Sequence, residues 1–458
     1  MQTPFPFQTL LLFGFLSTML LLGVVLRAKM VFFQKFLIPA CLIGGLGGLL
    51  LMNAKLLPFE TDSLQTLAYH LFNISFISIG LTRSNENQTS QGRPRQLLKG
   101  SLWMALTQGV TFPLQAVIGG LTVILFGLFH RELFATFGFL VPLGFNEGPG
   151  QALSFGKVWE TVGFEHAATL GLGFATMGYL FAFLVGVPLV NYWIRQRSAE
   201  KGLPGLPQDF LVGLTTPKQA RVPAGEQTIH SANLDTLSFQ LALVGLVYLL
   251  TYLLVKFVGS FFGADVAKML WGFFFFFGLG LALVFKWVLT KLGWDYLVDP
   301  GVQRRITGWS VDYLIVATVA AIQIPIVWQY FGPFMTASIT AGVLTTFVVV
   351  YLGRRLPAYN LERTVAIYGT VTGTVSCGLL LLRIADPEFR TPVALEMAVM
   401  NVFAVPIVGG STVLVNGPLW WNWSTSLTVL VFAGIMVVSL ATIKLLGLWR
   451  STAVTEMK

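Results

Sequence analysis

Two short stretches of this chain place polar chemistry between long apolar arms. The first, GFNEGPGQ at 144–151, sets an asparagine, an acid and a glutamine among three glycines and a proline. The second, TVTGTVSCG at 370–378, carries hydroxyls around two glycines. Glycines permit turns and close approach of backbone to a ligand, and Pro149 removes a backbone donor. An arm opening near Gly150–Gln151 presents free N–H groups, and a helix N-terminus favours an anion such as a carboxylate. The unwound carbonyls of the same turn suit a bare alkali cation. Asn146, Glu147, Gly148, Gly150 and Gln151 are therefore candidate binding residues, joined by Thr372, Gly373, Thr374 and Ser376 in the second stretch. Glu147 could coordinate a cation, relay a proton or meet a substrate ammonium. Both stretches would also read as turns that cap packed helices.

The elements that must position them are membrane spans. The chain of 458 residues is 55% hydrophobic and 11% charged, with a mean hydropathy of +0.74; soluble domains carry about 25% charged residues. A span needs roughly 20 apolar residues. Eleven runs qualify: Phe7–Leu26, Phe36–Met52, Leu64–Leu81, Leu98–Leu128, Ala167–Trp193, Phe239–Val258, Met269–Leu289, Val311–Tyr330, Phe334–Leu352, Val393–Val415 and Leu427–Leu448. The arms beside the first motif, such as Phe134–Leu143, would reach only about 15 Å as helices. That is half a membrane. Thr364–Leu382 is either a second hairpin or one broken span.

Charge chooses between crossing and turning back. With the N-terminus outside and both stretches re-entrant, 22 basic residues fall in inside loops and five outside or at the outer edge, as the positive-inside rule requires. A crossing at the first motif would move the basic loop Arg195–Arg221 outside. The resulting layout is all-α, with two inverted-topology repeats. Residues 1–194 form the first, with a re-entrant hairpin near 134–162. A cytoplasmic linker spans 195–237. Residues 238–416 form the second repeat, with a hairpin near 364–383, and 417–458 hold an extra span and the tail. In secondary transporters such duplication places the substrate near the midplane, between broken elements.

Other classes are excluded or disfavoured. The net charge of +9 sits in short loops, with no soluble domain to carry nucleic acid. Cys41 and Cys377 lie in apolar segments and imply no disulfide framework. Four scattered histidines and the absence of a Walker loop or a G-x-S-x-G elbow argue against an enzyme. No cofactor is implied, and no cleavable leader is expected. A channel or exchanger using the paired hairpins as a filter is the alternative. Glu396 and Asn401 lie in a late span, with Asn401 deeper and better placed for a site. His70, Asn73, Gln108, Gln115 and Gln323 read as contacts between helices.

The run GPGQALSFGKVWETVGFEHAATLGLGFATMG at 148–178, with YGTVTGTVSCGLLLLRIADPEF at 368–389, resembles the bacterial sodium/glutamate symporter family. The resemblance implies sodium-driven uptake of glutamate or a related acidic or zwitterionic solute, sodium as coupling ion, a homodimer in a bacterial inner membrane, and two re-entrant loops meeting at the site. It adds Thr176 to Gly148, Gly150, Gly373 and Thr374 as site residues. Where family members carry a histidine before the first glycine-rich turn, this chain has Glu147.

Overall fold

The computed structural model describes residues 7–56, 59–82, 94–129, 132–201, 208–215, 223–263, 267–268, 270–356, 358–386 and 391–449. Every regular element among them is helical. The first half comprises α1 (Gln8–Lys29), α2 (Ala40–Asn53), α3 (Thr61–Leu81), α4 (Pro94–Leu128), the short α5 (Leu140–Phe145), α6 (Pro149–Glu160) and α7. The last begins as Ala167–Leu180, passes a π-helical turn at Phe181–Val185, and continues to Lys201. The second half comprises α8 (Thr236–Gly259), α9 (Phe274–Lys291), α10 (Pro300–Ala320), α11 (Phe331–Gly353), α12 (Asn360–Thr372), α13 (Val375–Ala385), α14 (Val393–Leu414) and α15 (Thr425–Leu445).

Nine helices among the described residues are long and apolar enough to cross a membrane. Two of the eleven expected spans take another form. The run 36–52 becomes α2, only 14 residues long, because Pro39 holds an extended conformation and the chain turns at Leu37 with φ 51°. At 1.5 Å per residue it covers about 21 Å. The run 311–330 is instead α10, which starts eleven residues earlier and ends at Ala320. Asp299 caps it, its Oδ1 accepting from Val302 N at 2.6 Å, and Pro300 fits the first helical position. The chain breaks at 321–323 and a short helix restarts at Ile324–Gln329 with Pro325 in its first turn, where the missing N–H costs no helical bond. Asn53 of α2 splints that break: its Nδ2 donates to Ile322 O and its Oδ1 accepts from Ile324 N, both 2.9 Å.

The packing forms two groups. In one, α3 lies against α10, α2 against α10 and α3 against α9, with α1 on α2 and α8 on α9. Gly23 and Gly44 bring α1 and α2 into backbone contact, the small-residue packing that replaces hydrophobic drive within lipid. In the other, α4 is the axis, with α11, α14 and α15 around it and the two broken elements against it. The groups meet chiefly along α6, which touches α3, α10 and the turn Trp271–Phe273. Phe155 meets Phe273 edge-on at 4.9 Å there.

Candidate functional site

The two polar stretches form two helix breaks whose tips touch. At the first, α5 ends at Phe145 and α6 begins at Pro149, with Gly148 at φ 87° and ψ −176°. That conformation is essentially open to glycine alone. Pro149 follows at N1, its fixed φ suited to starting a helix. No side chain caps α6, nor α13, which begins after Thr374. In the second break, α12 is buried along its whole length and α13 folds back against it. A Cβ on Gly369 would lie 2.7 Å from Cys377 O and from Gly378 N, so the arms run backbone to backbone.

A Cβ on Gly148 would stand 2.9 Å from Thr374 Cγ2 and 3.2 Å from Gly373 O. The tips are thus in contact, with the N-termini of α6 and α13 both opening there. Each N-terminus carries roughly half a positive charge.

The flanks of this junction are polar and buried. Asn146 Nδ2 donates to Thr111 Oγ1 at 3.0 Å. Gln115, one turn further along α4, donates to Val371 O at 3.0 Å and Thr345 Oγ1 at 3.1 Å. Pro113 lies between them and cannot bond to the carbonyl four residues before it. Gln151 Nε2 donates to Glu147 Oε2 at 2.6 Å. On the other flank Thr372 O lies against Gly178, and Tyr179 Cδ1 would be 3.2 Å from a Cβ on Gly373.

Within this cluster three amide oxygens, on Gln115, Asn146 and Gln151, are buried and accept no hydrogen bond. The Tyr179 hydroxyl is likewise unpaired, close to Thr374 but outside hydrogen-bond geometry. Buried polar atoms normally find partners. Hard neutral oxygens, a carboxylate and two helix N-termini can hold a small cation and an anion side by side.

Asn146, Glu147, Gly148, Gln151, Thr372, Gly373 and Thr374 therefore come together. Gly150 faces another way: a Cβ there would strike the Phe72 ring, so it seats α6 on α3. Thr176 sits half-buried on α7, its hydroxyl bonded to Leu172 O at 3.0 Å. Ser376 is exposed two residues past the tip. Asn401 is exposed on α14, on the same face as the exposed Ala398 and Val402. Glu396 is fully buried and paired with Arg363, Nε to Oε2 at 2.7 Å and Nη2 to Oε1 at 2.5 Å. That pair fastens the start of α12 to α14, and Gly100 of α4 packs directly on the carboxylate.

The sequence marks Gln115 as a contact between helices and singles out neither Thr111 nor Tyr179, because nothing short of the fold brings α4 and α7 to the tips.

The family model described as sodium/glutamate symporter matches residues 6–281, more than half of the chain and the whole of the first tip. No curated protein and no solved structure matches.

Proposed function

Because the chain belongs to the sodium/glutamate symporter family, we propose that it carries out sodium-coupled symport of glutamate or a closely related acidic or zwitterionic solute by alternating access. The observation that carries this reading is the contact of Gly148 with Gly373 and Thr374. It brings two uncapped helix N-termini, suited to carboxylates, beside unpaired amide oxygens suited to sodium. Discontinuous helices with this division of labour are the usual site of secondary transporters.

In this reading both breaks are re-entrant hairpins and the halves are inverted repeats. The reciprocal packing of α2 on α10 and α3 on α9 supports it, because each pair sets the second span of one half on the third of the other. Sodium sits among Gln115, Asn146, Gln151 and the Glu147 carboxylate. One net positive charge moving down about 100 mV supplies about 2.3 kcal/mol, near fiftyfold accumulation before the ion gradient is added. The N-terminus lies outside, the 195–237 linker lies in the cytoplasm of a bacterial cell, and two copies form the working dimer.

Purified protein in proteoliposomes should accumulate labelled glutamate, or an acidic relative found by competition, under an inward sodium gradient. Uptake should saturate and should vanish when potassium replaces sodium. Non-saturating, sodium-indifferent flux would make the tips a channel filter instead.

A further inference from the structure

A groove runs between α7 and α11. The π-helical turn of α7 supplies Phe181 and Val185, and α11 supplies Val343, Phe347 and Val350. Its volume is about 630 Å³. A Cβ on Gly342 would strike the Phe181 ring, so the two walls meet at the bottom. Both walls belong to helices long and apolar enough to cross a membrane, and Val343 and Phe347 are exposed, so the groove opens towards lipid.

The polar groups at its floor are already engaged. Thr346 Oγ1 donates to Gly342 O at 2.7 Å, and the Tyr368 hydroxyl, 3.0 Å from it, donates to Phe181 O at 3.3 Å. The walls therefore suit hydrocarbon, since a polar occupant would lose its hydration without gaining a partner.

One end is different. Arg354 and Arg355, the two residues after α11, line the same groove. The Arg355 guanidinium lies over the Tyr351 ring, 3.6 Å from its centroid, with Trp449 at 5.7 Å, and its Nη1 donates to Tyr351 O at 3.0 Å. That leaves most of its five N–H donors open. Arg354 is exposed, and among the described residues neither arginine forms an ion pair. From Val343 to Arg354 the helix covers about 17 Å, and one leaflet's hydrocarbon is about 15 Å, half of the bilayer core. The arginines thus stand at headgroup level when the apolar end of the groove reaches the midplane.

We propose that this groove binds an anionic phospholipid, with one acyl chain lying between α7 and α11 and the phosphate between Arg354 and Arg355. In the topology above, the lipid belongs to the inner leaflet. Charge complementarity selects the headgroup, and the length of the apolar walls selects a lipid over a free phosphate ion. Basic pockets between transmembrane helices recognise anionic headgroups by the same physics. The assignment does not depend on what the protein transports.

The test uses phosphatidylglycerol with a photoreactive diazirine midway along one acyl chain, added to the full-length protein in detergent micelles. Light should attach it to peptides covering 181–185 and 343–350. Unlabelled phosphatidylglycerol should compete well and phosphatidylcholine poorly. Glycerophosphoglycerol, the same headgroup without chains, should not compete. Arg354→Gln combined with Arg355→Gln should raise the lipid concentration for half-maximal labelling roughly 30-fold, equivalent to about 2 kcal/mol for two arginines at an anionic surface. If that double variant is not recovered in the membrane, Arg354→Gln alone leaves the Tyr351 stack intact and should raise it roughly fivefold. No label on these peptides, equal competition by phosphatidylcholine, or unchanged labelling in the arginine variants would overturn the assignment. Displacement by glycerophosphoglycerol would make this a soluble-anion site instead. Labelling that appears only once dimers are separated would give the groove to a second copy, and also overturns it.

Discussion

Adding one methyl group at Gly148 tests whether tip contact is part of transport. Gly148 holds φ 87° and ψ −176°, so alanine is strained there whatever the space around it. Such backbone conformations cost about 1–3 kcal/mol. The new Cβ would also stand 2.9 Å from Thr374 Cγ2, so the threonine must retreat by a few tenths of an ångström. Since 1.4 kcal/mol is tenfold, backbone strain alone lowers the population of apposed tips by roughly 5- to 150-fold. The global fold should survive, because α5, α6, α12 and α13 keep their packing elsewhere. Gly148→Ala should therefore reach the membrane at wild-type abundance and lose initial uptake by at least fivefold. Trimming Thr374 to Ser should recover the steric part and leave the backbone strain. Wild-type KM and maximal rate in Gly148→Ala would refute the reasoning, because no apposed-tip state could then limit transport.

Gly150→Val should drive a side chain into the Phe72 ring, reducing uptake and thermal stability together, and Phe72→Ala in the same protein should restore part of both. Glu147→Gln should raise the sodium concentration for half-maximal uptake and alter the charge moved per solute; unchanged sodium dependence in electrical recordings would leave Glu147 outside the cation site. Arg363→Ala should destabilise the protein by about 3–5 kcal/mol, because it leaves the buried Glu396 unpaired. Replacing both members of the pair with methionine should recover much of that loss in a detergent melting assay. A cysteine at the exposed Gln227 should react with an impermeant thiol reagent from the cytoplasmic face alone. Labelling from outside would overturn the inverted topology.

Composition and hydropathy were enough to establish a polytopic helical membrane protein, because lipid leaves a chain few ways to satisfy its backbone. The helix breaks at 144–151 and 370–378 were legible too, since glycine, proline and a lone acid are costly inside a span without a reason. What the linear chain could not carry was depth and partner. The charges of Arg304 and Arg305 masked the start of α10, and Asn53, 269 residues from Ile322, splints the break beyond its end. Glu396 could be placed in a late span, but its partner Arg363, 33 positions earlier, could not be read from the chain. Asn401 looked well placed by depth, yet its azimuth on α14 turns it outward, and hydropathy says nothing of azimuth. Gly150 looked like part of a binding turn, but the Phe72 ring gives it a packing role. The junction itself joins Gly148 to residues 225 and 226 positions away. Span length and loop charge are local sums that a sequence displays, whereas contact between two tips is decided by how α4 and α7 hold them, which only the packed structure expresses.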